Sequence, residues 1–277
     1  MLDLAIIGSG PAALTAAIYA ARGQLEVTVF ERGVFGGLLN EIAQLDNFPG
    51  FSGPGPDFAK KLKLQAKESG AKLQFGECTR IERQLDGNLS LTIDGREIHA
   101  RAVLVATGSE PRQLELDATK PISYCSLCDG PLYQGKKLLV VGGGNSAVGE
   151  SIHLASLAAK VTLISRAPLS AEPALVSRLR ACQNVEIFEN TPLDSSRAQA
   201  ALAETDGIFA FIGHTPATGF LSADLLDAEG YIIAPACATK LPGLFAAGDV
   251  RSGALRQAIT AAADGATAAV SIQQYLS

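Results

Sequence analysis

The feature that most constrains this chain is a unit that occurs twice: an apolar strand run, a glycine-rich turn, an alanine-rich helix and a second apolar run. The first copy reads LAIIGSGPAALTAAIYAARG, with a strand expected over residues 4–7, a turn carrying Gly8, Gly10 and Ala13, and a helix ending near Gly23. The second reads KLLVVGGGNSAVGESIHLASLAAK, with a strand over 138–141 and a turn carrying Gly142, Gly144, Asn145 and Ser146. Each copy is followed by a further apolar run, 27–30 and 161–164, so each turn sits inside a βαβ unit. In that setting glycines let the backbone approach a pyrophosphate, whose charge meets the free N–H groups and positive end of the helix. The expected fold class is therefore α/β, with two Rossmann-like dinucleotide-binding domains.

The strands that follow the two turns differ. The first ends at Glu31, a carboxylate placed to bond an adenosine ribose, which suits a free 2′-hydroxyl as in FAD or NAD. The equivalent place in the second copy holds Ser165 followed by Arg166, a single cation and a weak signature of a 2′-phosphate. Turn chemistry places residues 1–113 and 242–277 in one discontinuous domain, with 114–241 as the inserted second one. Within the first, a hairpin region spans 73–100, a strand 102–105 ends in ATGSEPR, and GLFAAGDV leads into a helix over 256–275. A lysine-rich helix with a solvated face is expected over 58–69, capped by Asp57 and stopped by Gly70.

Composition narrows the class. In 277 residues, 47% are hydrophobic and 18% charged, the net charge is -5 and the mean hydropathy +0.21, which suits a soluble globular protein rather than a disordered chain or a basic nucleic-acid binder. No apolar stretch is long enough to cross a bilayer, and the first strand leaves no room for a signal peptide, so the expected address is the cytoplasm. Five cysteines with one close pair, Cys125-Ser126-Leu127-Cys128, do not describe a secreted disulfide framework. A zinc site lacks ligands, since Cys78, Cys182 and Cys237 lie singly and only His99, His153 and His214 are available. A redox dithiol needs only two thiols able to close a small ring, and Asp129 adjoins both.

Two dinucleotide folds, one inserted in the other, with CSLCDG before the second glycine turn, resemble the low-molecular-weight thioredoxin reductases. The shared blocks run through nearly the whole chain: GSGPAA, GGLL, DNFPG, ATG, GGGNSAV, IGHTP and GDVRSGALRQA. The resemblance implies FAD on Gly8, Gly10 and Ala13, with Glu31 on its ribose and Gly37, Leu38 and Asn47 along the flavin side. Thr107 and Gly108 would stand near the pyrophosphate, Asp249 at the ribityl or phosphate region, and Arg256, Gln257 and Ala258 at the isoalloxazine edge. It further implies that Cys128 faces the flavin, that Cys125 attacks the disulfide of a thioredoxin-like partner, that Asp129 is the general acid/base, and that the chain forms a homodimer. The chain stops soon after Tyr275, so no tail of the sort some relatives fold over the flavin is expected.

Three departures bear on the electron donor. Relatives that use NADPH carry an HRRxxxR cluster after the second strand, where this chain has Ser165, Arg166, Ala167 and Pro168. A short helical stretch over 195–205 stands where relatives have a β-hairpin. Gly149 lies inside the second helix in place of a usually acidic residue. The retained GGGNSA turn suits a bound dinucleotide, either NAD(P)H or a second FAD as in diflavin-linked disulfide oxidoreductases; ferredoxin is a third donor, whose users generally lose the turn. A dithiol oxidase tends to carry His after the second cysteine, where Asp129 stands here, and a flavin-binding sensor would leave Cys125, Cys128 and Asp129 unexplained.

Overall fold

The computed structural model describes residues 1–116 and 120–277. Along the chain, β1 (Leu2–Ile7), α1 (Pro11–Arg22), β2 (Val27–Glu31), β3 (Leu45–Phe48), β4 (Phe51–Gly53), α2 (Gly55–Glu68), β5 (Lys72–Phe75), β6 (Cys78–Arg83), β7 (Leu89–Ile93) and β8 (Arg96–Val105) come first. Next come β9 (Ser109–Pro111), β10 (Ile122–Ser123), α3 (Ser126–Asp129), β11 (Lys137–Val141), α4 (Asn145–Ala155), β12 (Lys160–Ile164), α5 (Pro173–Arg180), β13 (Val185–Phe188), α6 (Ser196–Glu204), β14 (Gly207–Ala210) and β15 (His214–Pro216). The chain closes with β16 (Leu244–Ala246) and α7 (Ala258–Leu276). It divides into two compact units, Met1–Glu110 with Pro216–Ser277, and Pro111–Thr215.

The first unit is built on a sheet ordered β5-β2-β1-β8-β7-β6, with β16 also paired to β8. Pairs among β5, β2, β1, β8 and β16 are parallel, while β6, β7 and β8 form an antiparallel meander. β8 serves both parts: residues 96–100 pair with β7 and residues 103–105 with β16, so the expected hairpin region and the strand after it are joined in one ten-residue strand. Four consecutive buried residues in β1 mark a strand covered on both faces. On one face α1 lies against α7 at short range, because both present Ala and Gly; a Cβ on Gly265 would stand 2.1 Å from Ala12 O. Larger residues at that crossing would push the helices off the sheet.

The second boundary differs from the sequence expectation. Residues 216–241 belong to the first unit, not to the inserted one, because Leu225, Ile232 and Ala234 join Leu244, Val250, Leu89 and Val103 in one core. Ile232 N–H donates to Val250 O at 2.9 Å, which ties this segment to the loop after β16. The first boundary falls at Glu110 rather than residue 113. The lysine-rich helix α2 starts earlier than expected, at Gly55 after Pro54, and Asp57 lies in its first turn without capping it.

The inserted unit is a five-stranded, all-parallel sheet ordered β10-β14-β11-β12-β13. Its core sets Leu138, Val140, Val161, Leu163 and Phe209 against Val148 and Leu154 of α4. The helical stretch expected over 195–205 is α6, capped by Ser195, whose Oγ accepts from Ala198 N–H. Among the described residues no neighbour explains Gly149, since a Cβ there would meet nothing within 4 Å.

Candidate active site

In the first unit the strand-turn-helix order puts Gly8 at the end of β1 with φ of 97°, where a Cβ would stand 2.4 Å from Ala106 O. Only glycine fits that close crossing of two strand ends. Gly10, the next glycine of the turn, faces open space, with nothing within 4 Å of a Cβ. Glu31 closes the end of β2 as expected. Its Oε2 accepts from Ser9 Oγ at 2.6 Å and its Oε1 from Gly33 N–H at 2.8 Å, while Gly36 N–H donates to Ser9 Oγ. Ser9 was not singled out in the sequence, although its place between the two glycines was the available signal.

Of the other expected residues of this unit, Gly37 and Thr107 lie against this turn, a Cβ on Gly8 standing 3.0 Å from Thr107 Cα. Gly37, at positive φ, is so close to Gly10 that a Cβ would lie 3.3 Å from Gly10 Cα, and Leu38 follows, half-buried. Ala13 is fully buried under the turn. Asn47 Nδ2 donates to Gln257 Oε1 at 2.9 Å, joining two segments that are 210 residues apart. Ala258 opens α7 beside Gln257. Thr107 Oγ1 donates to Ala217 O at 2.8 Å, and Gly108, at φ 65°, leaves open space. Arg256 has φ of 46° and its guanidinium lies 4.7 Å from the centre of the Tyr231 ring. An unfavourable backbone conformation of a non-glycine residue at such a place is what functional sites tend to store.

Asp249 sits in a single helical turn, 248–250, and burial raises its carboxyl above the ordinary aspartate value, against a lowering influence of Arg256. That turn is fixed by an ion pair that no motif of the sequence marks. Arg251 Nε and Nη2 donate to Asp264 of α7 at 2.9 and 3.0 Å, and Gly248 N–H donates to Asp264 Oδ2 at 3.1 Å. With side chains about one-fifth exposed, the pair is well shielded, and removing one partner of such a pair costs on the order of 3 kcal/mol.

In the inserted unit Gly142 has φ of 144°, and a Cβ there would stand 2.3 Å from Phe211 O. Gly144 precedes α4 and faces open space, as Gly10 does. Asn145 and Glu172 bond reciprocally: Asn145 Nδ2 donates to Glu172 Oε1 at 3.1 Å and Glu172 N–H to Asn145 Oδ1 at 2.7 Å. Ser146 and Arg166 are exposed. Ser165 is buried, donates to Ala167 O and packs against Gly143, so the side chain at the end of β12 is a small hydroxyl in place of the first turn's carboxylate.

Cys125 and Cys128 form a disulfide at the start of α3, with Cα atoms 5.3 Å apart. Cys128 is exposed and Cys125 half-buried; Cys128 N–H donates to Cys125 Sγ at 3.0 Å. Between them Ser126 is fully buried and donates to Glu150 of α4, which anchors the dithiol segment to the helix opened by the second glycine turn. Asp129 Oδ2 accepts from Ser123 Oγ at 2.7 Å. The remaining cysteines are Cys78 and Cys237, both buried and both pushed up to about 11 by that burial, and Cys182. None of these three shares the setting of the pair.

A family model described as pyridine nucleotide-disulphide oxidoreductase matches residues 2–265. The chain belongs to this family. Thioredoxin reductases of Listeria innocua and Bacillus subtilis are each 36% identical to it, over 99% of this chain and 93% and 94% of theirs. Among solved structures, the thioredoxin reductase of Lactococcus lactis superimposes with a TM-score of 0.92 at 31% identity, covering 100% of this chain and 99% of that one. That of T. acidophilum gives 0.90 at 31% identity, covering 99% and 98%. The protein is thus an oxidoreductase of the thioredoxin reductase-like, FAD-dependent disulfide type.

One titratable group in this family member's inserted unit stands apart from the chemistry. His153, in the last turn of α4, has a buried Nε2 without a hydrogen-bond partner among the described residues, and burial lowers it from the ordinary 6.5. The folded state therefore favours the neutral ring, while the unfolded chain takes up a proton as pH falls through 6.5. Stability from this group is complete above that pH and is lost below it. Thermal unfolding followed from pH 8 to about 5 should show a falling midpoint, and a smaller fall in His153→Leu.

Proposed function

We propose that the protein reduces the disulfide of a thioredoxin-like partner, with FAD at the Gly8 turn, a nicotinamide dinucleotide at the Gly142 turn, and Cys125 and Cys128 as the dithiol. The observation that carries this reading is the Cys125–Cys128 disulfide with Asp129 beside it, held in the same unit as a second glycine turn. The residues present fit FAD: the space open at Gly10 and Gly108 admits a pyrophosphate, and Glu31 offers a carboxylate already aimed across the turn. When bound, these two cofactors supply hydride and two-electron chemistry that amino-acid side chains lack.

The chain's own residues do the rest. Gly10 and the N–H groups at the start of α1 bind the pyrophosphate, Glu31 the ribose, and Asp249, Arg256 and Gln257 orient the flavin end. Gly142, Gly144, Asn145, Ser146 and Arg166 hold the second dinucleotide. Cys128, the exposed sulfur, receives electrons; Cys125 attacks the partner, forming a mixed disulfide and releasing a thiolate, which Asp129 protonates. Cys128 then displaces the partner's second sulfur and restores the Cys125–Cys128 bond.

The reduced set of cations after β12 favours a second reading, in which a second FAD occupies the Gly142 turn. The released flavin of the purified protein decides between them. One FAD per chain, with bleaching near the flavin band when NADPH or NADH is added without oxygen and thioredoxin reduction thereafter, supports the first reading. Two FAD per chain and no bleaching by either nucleotide supports the second. We infer a homodimer and a cytoplasmic setting from the same resemblance; sedimentation at micromolar concentration tests the former. Among the described residues no helix is long and apolar enough to cross a membrane.

A further inference from the structure

We propose that Ser123 is a positioning residue that holds Asp129 in both of its protonation states, an inference that rests on the acid role given to Asp129 above. Ser123 ends β10, two residues before the dithiol, and is 7% exposed. Its Oγ meets three groups: it accepts from Cys125 N–H at 3.2 Å, lies 2.7 Å from Asp129 Oδ2, and lies 3.3 Å from Cys125 O. A hydroxyl has one proton and two lone pairs. Cys125 N–H takes one lone pair, so the proton and the other lone pair are left to be shared between Asp129 and Cys125 O.

Two arrangements are open to the hydroxyl, and Cys125 O keeps a partner in both because it also accepts from Asp129 N–H at 3.1 Å. With Asp129 ionised, the proton points to Oδ2, the shorter and charge-assisted contact. With a proton on Oδ2, the hydroxyl turns to donate to Cys125 O and accepts from the carboxylic acid through its second lone pair. A rotation of one O–H bond thus adapts the site to the loss and gain of the proton that thiol–disulfide exchange requires, without moving either backbone. The Cys125 amide bond to the same oxygen fixes the carboxyl relative to the attacking sulfur. An apolar side chain here would leave both the carboxyl and the Cys125 N–H without this partner.

The test compares two oxidants of the reduced dithiol. With thioredoxin disulfide, an alkyl thiolate must leave and be protonated; with the aryl disulfide dithiobis(nitrobenzoate), Cys125 and then Cys128 displace two thionitrobenzoate ions, which are stable at neutral pH without a proton. Ser123→Ala should lower kcat for thioredoxin about 10–100-fold with KM unchanged, while single-turnover release of thionitrobenzoate stays within about threefold of wild type. Ser123→Thr, which keeps the hydroxyl, should restore the thioredoxin rate to within about threefold. In an Asp129→Asn background, Ser123→Ala should add no further loss.

A wild-type thioredoxin rate in Ser123→Ala, equal slowing with both oxidants, failure of threonine to rescue, or additive losses in the double variant would each overturn the inference. The two levels separate cleanly: a slow Asp129→Asn beside a fast Ser123→Ala removes only the role of Ser123. A fast Asp129→Asn removes the acid role and this inference with it.

Discussion

Cys128→Ser should lower thioredoxin reduction by at least about 1,000-fold and at the same time make the protein a covalent trap. The remaining thiol, Cys125, can still attack, but nothing stands at position 128 to displace the partner. Offered a single-cysteine thioredoxin carrying thionitrobenzoate on its sulfur, the reduced variant should release one equivalent of the yellow thiolate and keep the thioredoxin as a mixed disulfide, visible by mass spectrometry. Cys125→Ser should be as inactive and form little adduct. The two variants separate the roles because the cysteines differ in surroundings: Cys125 is half-buried, receives the Cys128 N–H and shares Ser123 with Asp129, whereas Cys128 is exposed. An adduct from Cys125→Ser and none from Cys128→Ser would exchange the assignments.

The second large effect concerns the glycines. Gly10→Ala and Gly144→Ala should each fold with near wild-type stability yet lose affinity for one dinucleotide by about 100-fold, or about 2.7 kcal/mol. Neither position has a positive φ, and neither added Cβ meets anything within 4 Å among the described residues, which leaves room for the methyl group. The space it takes is the space through which the backbone approaches a pyrophosphate. Gly10→Ala should emerge colourless, and Gly144→Ala should retain FAD while failing to bind its second nucleotide in calorimetric titration. Gly8→Ala is the contrast. Its methyl group would collide with Ala106 O at a φ of 97°, so it should lose both stability, by about 3 kcal/mol, and flavin. Full flavin content in Gly10→Ala would remove the first turn as the cofactor site.

Both predictions depend on features that differ in how far they could be read in advance. The repeated strand-turn-helix unit is local: four-residue apolar runs, glycines at fixed offsets and an alanine-rich helix are recorded within about twenty residues, and β1, β2, β11 and β12 lie where the periodicity puts them. The close pair Cys125 and Cys128 is equally local, because across two intervening residues a single helical turn brings the Cα atoms within bonding range, 5.3 Å here. The helix start at Gly55 was not legible in the same way, since Pro54 and not the acidic Asp57 stands at the entry to the helix.

What tertiary structure decided is the set of partners. Asn47 meets Gln257, Ser9 meets Glu31, Arg251 meets Asp264, and the segment 216–241 packs with the first unit rather than with the strands that precede it in sequence. Even Ser123 and Asp129, close in sequence, meet only because β10 ends and α3 turns back between them. Sequence alone determined the two glycine turns and the dithiol, because backbone reach and hydrophobic period act over a few residues. The pairings that orient those groups come from packing whole sheets and helices together, which brings distant polar atoms within hydrogen-bond range and which no local pattern records.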